Sequence, residues 1–227
     1  MSRAKPSRAK QREKIMKHKK IAILAAIAAM ITGCSGGAAP AFAPTESSLY
    51  ITSEGTVTSA TVETYEESYY SADELKAYVE EVLAEFNGAA GTDSADKLAT
   101  VKECTMADGT AKLLIDFKSA DSYLDFMGQY PDEESEIQVT DLDITTVTDG
   151  VTKGYIVGET FTKTSGDGKT VAADEVMKQT KLYVAAVEGA ALIQTDGTIQ
   201  YISEGVTVVG TNMIQTPEDE VSYVVFK

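Results

Sequence analysis

The sequence predicts an α+β fold in which antiparallel, hairpin-rich sheets pack against one long helix and one or two short helices. Runs of β-branched and apolar residues are joined by tight-turn dipeptides such as Asp108-Gly109 and Asp196-Gly197, which favour two-residue hairpins. The segment Ser71-Ala72-Asp73-Glu74 has the pattern of a helix-capping box and precedes apolar residues spaced three and four apart, as in an amphipathic helix. Strands and helices are therefore both expected in one domain.

The first predicted elements are a hairpin and the long helix. Residues 49–52 and 56–58 flank a turn at 53–55, and strand character continues to Tyr65. The helix begins after Ser71 and ends at Asn87-Gly88, a helix-stop signal. Its apolar stripe, which we expect to contact the core, consists of Leu75, Tyr78, Val79, Val82, Leu83 and Phe86.

The later elements are mostly strands. Residues 97–106 and 110–117 predict a second hairpin, and Ser119 predicts the N-cap of a short helix. An acidic loop at 131–135 follows, a turn is expected at 164–168, and residues 172–178 predict one or two helical turns. The remaining predicted strands are 137–147, 154–164, 181–187, 190–194, 198–203, 206–209 and 221–226. Residues 47–227 fit a single domain, with a break into two subdomains near 128–136 as the alternative.

The beginning of the chain has the pattern of an export signal. Nine basic residues precede an apolar run at 21–31, which is too short to span a bilayer as a helix. The run ends in Ile31-Thr32-Gly33-Cys34, which resembles the lipobox of bacterial lipoproteins. This resemblance implies that residues 1–33 are removed by cleavage between Gly33 and Cys34, and that Cys34 receives the lipid that anchors the chain on the extracytoplasmic face of a cell membrane. An ordinary secretory signal with an incidental cysteine is the alternative.

Residues 34–46 are rich in small residues and proline, and they predict a flexible tether in which Phe42 is solvated. The part of the chain after the signal is strongly acidic, since 9 of the 20 basic residues but only Glu13 of the 35 acidic ones lie in 1–33. The remaining 11 basic and 34 acidic residues give a formal charge of −23. Such a charge opposes nucleic-acid binding and leaves the lipid on Cys34 as the expected contact with the membrane.

Two absences restrict the chemistry of the domain. The only histidine, His18, and all three arginines lie within residues 1–33. Histidine-based nucleophile systems and histidine-ligated metal sites are thereby excluded, together with bidentate recognition of anions by arginine. We expect no cofactor. We expect Cys104 to be a small buried side chain in a strand rather than a reactive thiol.

Two groups of residues are candidate sites. Asp132, Glu133, Glu134 and Glu136 offer the oxygen ligands that calcium prefers, although they lack the spacing of an EF-hand and a solvated charge run is favoured. Tyr65, Tyr69 and Tyr70 form the densest aromatic group. They are a candidate contact surface, with packing at the helix entrance as the favoured alternative.

The lipobox is followed by an acidic domain in which Thr61-Val62-Glu63-Thr64-Tyr65 runs into Tyr69-Tyr70-Ser71-Ala72-Asp73-Glu74-Leu75. This combination resembles small uncharacterised lipoproteins of Gram-positive anaerobes, a resemblance that implies no functional residue beyond Cys34. The sequence therefore favours a non-catalytic cell-surface module that binds a ligand or a component of the envelope. A lipoprotein that captures a solute or glycan is the first alternative, and a hydrolase based on carboxylates is the second.

Overall fold

The computed structural model describes residues 41–65, 71–88, 97–132, 135–166 and 168–227. The predicted signal, the lipidation site at Gly33 and Cys34, and the first part of the predicted tether lie outside the described residues. All elements below belong to one compact unit, Ala39–Lys227. No helix in the described part of the chain is long and apolar enough to cross a membrane.

The described residues form two sheets and four helices, which confirms a mixed fold rich in strands. Sheet A has seven strands in the order β11 (Thr207–Gly210), β12 (Met213–Gln215), β9 (Leu192–Thr195), β1 (Ser48–Ile51), β2 (Val57–Thr64), β4 (Thr110–Phe117) and β3 (Ala99–Ala107). Sheet B has six strands in the order β5 (Gln138–Thr146), β8 (Tyr183–Ala190), β13 (Val221–Phe226), β10 (Ile199–Ser203), β6 (Thr160–Lys163) and β7 (Thr170–Ala172). The helices are α1 (Ala72–Asn87), α2 (Ala120–Gln129), α3 (Val147–Lys153) and α4 (Ala173–Val176).

The two predicted hairpins at 49–58 and 97–117 are present, and the turn predicted at 164–168 joins a third antiparallel pair. The Asp196-Gly197 turn does not close a hairpin, because β9 belongs to sheet A and β10 to sheet B. Strands β1 and β2 pair antiparallel, as do β3 and β4 and the short strands β6 and β7. The turn between β3 and β4 places Asp108 at φ 52° and Gly109 at φ 76°. Two successive residues of positive φ match the twist of the flanking strands, which is why this dipeptide closes tight hairpins. The pairing of β1 with β9 does not follow from a hairpin pattern, because these strands are far apart in sequence and run parallel.

The helices depart from the predicted set of one long and one or two short helices, because the described ranges contain four helices of graded length, with 16, 10, 7 and 4 residues. The predicted caps at Ser71 and Ser119 are both confirmed, since each side chain accepts a backbone N–H of the first helical turn. Helix α3 was missed because its β-branched residues and glycine have low helix propensity. Its boundaries carry ordinary signals, an N-cap at Thr146 and a glycine with φ 89° at Gly154.

Some strand predictions were wrong in extent. The strand predicted at 154–164 is limited to Thr160–Lys163, and the strand predicted to reach Val147 ends one residue earlier, where α3 begins. The short strands β7 and β12 were not predicted. Each of them has only three residues, so local periodicity carries too little signal, although each pairs with the strand that precedes it in the sequence.

Two hydrophobic clusters hold these layers together. The larger cluster joins the inner faces of both sheets to α1 and α2, and it includes Ile51, Phe117, Tyr123, Ala185 and Val224. The smaller one covers the opposite, outer face of sheet B with α3, α4 and the loop between α3 and β6. Neighbours such as Val184 and Ala185 belong to different clusters because successive strand residues point to opposite faces.

The predicted apolar stripe of α1 is confirmed at Leu75, Val79, Leu83 and Phe86, which belong to the larger cluster or pack against it. It is not confirmed at Tyr78 or at Val82, which is only partly buried and lies outside that cluster. Val79 and Leu83 are buried, whereas Tyr78 is 66% exposed. A helix turns by about 100° per residue, so Tyr78 lies on the flank of the stripe rather than at its centre. The helix ends at Asn87, which is itself buried.

Candidate functional site

A row of polar side chains crosses the outer face of sheet A. The register aligns Tyr50 on β1 with Thr58 on β2, Thr58 with Asp116 on β4, and Asp116 with Thr100 on β3. The next residues along these strands, Ile51, Val57, Phe117 and Ala99, are buried in the larger cluster on the inner face. Strand alternation therefore places a polar row above an apolar one.

This polar row is the floor of a shallow groove of about 430 Å³. Its polar lining consists of Lys97, Lys102, Lys118, Thr52, Thr56, Thr58, Thr100, Tyr50 and Asp116. We refer to this surface as the lysine groove. Ser48, Ala60 and Leu114 lie one row further along the same face and are buried, so the groove is limited to this end of the strands.

The side chains of the lysine groove are organised around Asp116. Its Oδ1 atom accepts a hydrogen bond from the Thr58 hydroxyl at 2.5 Å and an ion pair from Lys102 Nζ at 3.0 Å. Thr58 is only 5% exposed, so its hydroxyl orients the carboxylate rather than facing a ligand. Beside them, the hydroxyls of Thr52 and Thr56 lie 2.7 Å apart.

Tyr50 closes one end of the lysine groove. Burial raises the pKa of its phenol, and the charge of Asp196 raises it further. Tyr50 thus remains a neutral hydroxyl near neutral pH, and it adds a hydrogen-bonding group without adding charge.

Asn87 fixes the beginning of β3, the strand that carries Thr100 and Lys102 and that begins two residues after Lys97. The Asn87 amide oxygen accepts the backbone N–H groups of Leu98 at 2.8 Å and Ala99 at 3.0 Å, and its nitrogen donates to the Ala99 carbonyl at 2.8 Å. The buried end of α1 therefore sets where β3 begins. On the other side, the N–H of Lys118 donates to the Leu98 carbonyl at 2.9 Å.

The last part of the predicted tether contacts the domain beside the groove. The ring of Phe42 stacks on Tyr50 with centroids 5.2 Å apart, and Pro44 is buried. The Ser47 hydroxyl accepts the N–H of Val62 at 3.0 Å. The expectation that Phe42 is solvated is therefore wrong, because Tyr50 offers it an aromatic face.

A second polar cluster lies on the outer face of sheet B. Asp143 Oδ2 accepts bonds from Lys153 Nζ at 2.5 Å and from the Tyr155 hydroxyl at 2.8 Å, and Tyr155 stacks on Tyr223 at 5.8 Å. Burial alone would raise the pKa of Asp143. The hydrogen bonds from Lys153 and Tyr155, together with the positive charge of Lys153, outweigh the effect of burial and lower this pKa. Burial and the bond to Asp143 raise the pKa of Tyr155 to about 12. These contacts tie α3 and the following loop to β5, which is a structural role.

Of the predicted tyrosine surface, only Tyr65 lies in the described part of the chain; Tyr69 and Tyr70 fall outside it. Tyr65 is half-buried at the end of β2, where its N–H donates to the Gly109 carbonyl at 2.9 Å. A largely apolar cleft of about 270 Å³ is lined by Ser71, Glu74, Leu75, Tyr78 and Met106. The aromatic side chain exposed there is Tyr78.

The candidate calcium ligands are only partly described, because Glu133 and Glu134 fall outside the described ranges. Asp132 and Glu136 are both exposed. Within the described ranges, no group of three or more acidic, cysteine or histidine side chains is close enough to hold a metal ion.

Cys104 lies on β3, half-buried against the start of α1, with its sulfur 3.6 Å from the Ala72 carbonyl. Burial raises the pKa of this thiol, and the charges of Asp73 and Glu80 add to that effect while Lys76 opposes it. A raised pKa disfavours the reactive thiolate.

The sequence contained a signal for the lysine groove that residue-by-residue motif reading missed. Residues 97–118 carry four lysines and three acidic residues, a near balance in a domain where acidic residues outnumber lysines threefold.

Comparison with known proteins found no known family, curated protein or solved structure that matches this chain.

Proposed function

We propose that this chain is a lipid-anchored protein of the outer cell surface, held by Cys34, whose domain is a non-catalytic module that binds a component of the envelope or its surroundings. The observation that supports a binding module is the lysine groove. Three of the eleven lysines that follow Cys34 line this one surface, together with hydroxyl groups on a rigid sheet.

The composition of the groove favours binding over catalysis. The hydroxyl nearest to a carboxylate belongs to Thr58, which is buried under Asp116 and poorly placed to attack a substrate. Asp116 already accepts bonds from both Thr58 and Lys102, so it is poorly suited to act as a general base. The polar groups are arranged to hold a ligand through charge and hydrogen bonds.

Capture of a solute or glycan is a second candidate function. The groove volume of about 430 Å³ falls within the range of small-molecule sites, about 300–1,000 Å³. A saturable complex with a small neutral sugar would favour this function. Binding that requires a polymer would favour the envelope-interaction module.

The anchor is tested by replacing Cys34 with alanine in the producing cell. We expect the wild-type chain to incorporate labelled palmitate and to fractionate with membranes, and the variant to do neither. A Cys104→Ala variant is the matched control and should be labelled normally. Continued labelling and membrane retention of Cys34→Ala would contradict the lipid anchor.

The binding function is tested by thermal shift of the purified protein against calcium, sugars, peptides and cell-wall fragments. We expect stabilisation by at least one envelope fragment, and loss of that stabilisation when Lys97, Lys102 and Lys118 are replaced by glutamine. A response to calcium alone would instead favour the acidic loop at 131–135. An unfolding temperature that stays unchanged with every ligand would contradict the proposal of a binding module.

A further inference from the structure

The charge distribution of the lysine groove identifies the class of ligand, if the proposed binding function holds. The chain after Cys34 has a formal charge of −23, yet residues 97–118 carry four lysines against three acidic residues. Three of those lysines, Lys97, Lys102 and Lys118, line the same groove. A local positive surface on a strongly negative protein attracts an anion there and repels it elsewhere.

The contacts within the groove indicate how an anion would be held. Lys102 is paired with Asp116 at 3.0 Å, and both side chains are close to half exposed, at 45% and 41%. Exposed pairs of this kind contribute little to stability, so an incoming anion can replace Asp116 as the partner of Lys102 at low cost. Thr58 continues to hold Asp116 after the exchange, because their hydrogen bond does not involve Lys102.

All the cations that line the groove are lysines. Lysine binds phosphate as a compact point charge and does not need the planar fork of an arginine. The hydroxyls of Thr52, Thr56, Thr100 and Tyr50 lie alongside. These groups can exchange hydrogen bonds with hydroxyls on the ligand.

We propose that the lysine groove binds a phosphate-bearing, polyhydroxylated polymer, with Asp116 as a built-in counter-ion that the phosphate displaces from Lys102. This inference rests on the proposed binding function and specifies its ligand. Binding depends on point charges that remain open to solvent, so it weakens strongly with salt.

The experiment is isothermal titration of the purified protein with soluble poly(glycerol phosphate), with dextran of matched length as the neutral probe. We expect binding of the phosphate polymer and no binding of dextran. The variant K97Q/K102Q/K118Q should bind about tenfold more weakly or worse. The variant K169Q/K178Q/K181Q has the same change in net charge outside the groove and should bind like the wild type.

The counter-ion is tested separately with Asp116→Asn. This variant keeps a group that can accept the Thr58 hydrogen bond but removes the competing charge, so we expect affinity for poly(glycerol phosphate) to rise severalfold. Circular dichroism and thermal unfolding confirm that each variant is folded. Unchanged or weaker binding by D116N would overturn the displacement of a counter-ion.

Three further outcomes would overturn the ligand class while leaving the proposed function standing. The first is binding of dextran as strong as binding of the phosphate polymer, and the second is preference for polygalacturonate, whose anions are carboxylates. The third is binding only to vesicles that contain anionic phospholipid, which would identify lipid headgroups as the source of phosphate. Equal affinity of the two triple-lysine variants for poly(glycerol phosphate) would show that the lysine groove is not the binding site.

Discussion

The outer faces of the two sheets differ in what covers them. Sheet B is covered by α3, α4 and the loop at 154–159, which bury Val147, Ile156, Phe161 and Val184 in a second hydrophobic cluster. On sheet A, the polar row from Tyr50 to Thr100 is the floor of an open groove, and the described chain beside it is the segment with Phe42 and Pro44. A covered face contributes to stability, whereas an open polar face is free to bind, so variants of the two faces should separate these properties.

Removal of the largest fully buried side chain beneath the cover of sheet B should have the largest effect. Phe161 is fully buried, and we expect Phe161→Ala to lower the free energy of unfolding by about 3–5 kcal/mol because it leaves a cavity. Urea unfolding measures the loss. Val221→Ala, at a position that is 46% exposed, is the control and should cost less than about 1 kcal/mol.

The same variant should leave binding intact in the fraction that remains folded. Poly(glycerol phosphate) affinity of Phe161→Ala, measured well below its unfolding temperature, should equal that of the wild type. A large loss of affinity would show that the two faces are coupled, and the separation of a stabilising face from a binding face would then be wrong.

A pair of glycines tests how closely α3 covers sheet B. A Cβ at Gly150 would lie 2.5 Å from a methyl group of Val184, whereas a Cβ at Gly128 in α2 would meet nothing within 4 Å. Overpacking costs about 1–3 kcal/mol and alanine in place of helical glycine gains up to about 1 kcal/mol. We therefore expect Gly150→Ala to be destabilised and Gly128→Ala to be stabilised in parallel urea titrations. Equal stabilisation of both would mean that α3 does not pack tightly on β8.

These contrasts also show where sequence-based prediction succeeds and fails. The caps at Ser71 and Ser119 and the turn at Asp108-Gly109 were predictable because the responsible contacts lie within four residues along the chain. Helix α3 was not, because contacts of Val147 with the outer face of sheet B outweigh its weak local propensity. The parallel pairing of β1 with β9 likewise depends on residues far apart in the chain.

The lysine groove could not be predicted from the sequence for a related reason. Thr58, Asp116 and Lys102 come from three strands, and they meet only after the β2–β4 and β3–β4 registers are set. Spacing along the chain does not reveal such a set. The charge balance of residues 97–118 was visible, but it becomes a surface only when β3 pairs with β4 and Lys97, Lys102 and Lys118 line one groove.

A smaller effect is expected from the polar cluster that ties α3 to β5. The pKa of Asp143 is lowered in the fold, so its stabilising contribution is present above the ordinary pKa of about 3.9 and is lost as pH falls through the lower folded value. The pKa of Tyr155 is raised to about 12, so its contribution is present below the ordinary pKa of about 10 and is lost as pH rises from about 10 towards 12.

Stability measured against pH tests both directions. Asp143→Asn should reduce the loss of stability below about pH 4, and Tyr155→Phe should reduce the loss above about pH 10. Ultraviolet titration should also show that Tyr155→Phe removes a phenol that ionises near pH 12. Parallel pH profiles for the wild type and both variants would contradict a structural role for this cluster.

The smallest effect should come from the contact between Phe42 and the outer face of sheet A. An aromatic pair contributes about 0.5–1.5 kcal/mol, and Phe42 is partly exposed, so we expect Phe42→Ala to cost less than about 1 kcal/mol in urea unfolding. Phe42→Tyr keeps the stacked ring and should behave like the wild type. Phe42 contacts the groove residue Tyr50 but does not itself line the groove, so affinity for poly(glycerol phosphate) should change little. A cost as large as that of Phe161→Ala would mean that residues 41–47 cover sheet A as firmly as α3 covers sheet B, and the distinction between a covered face and an open one would fail.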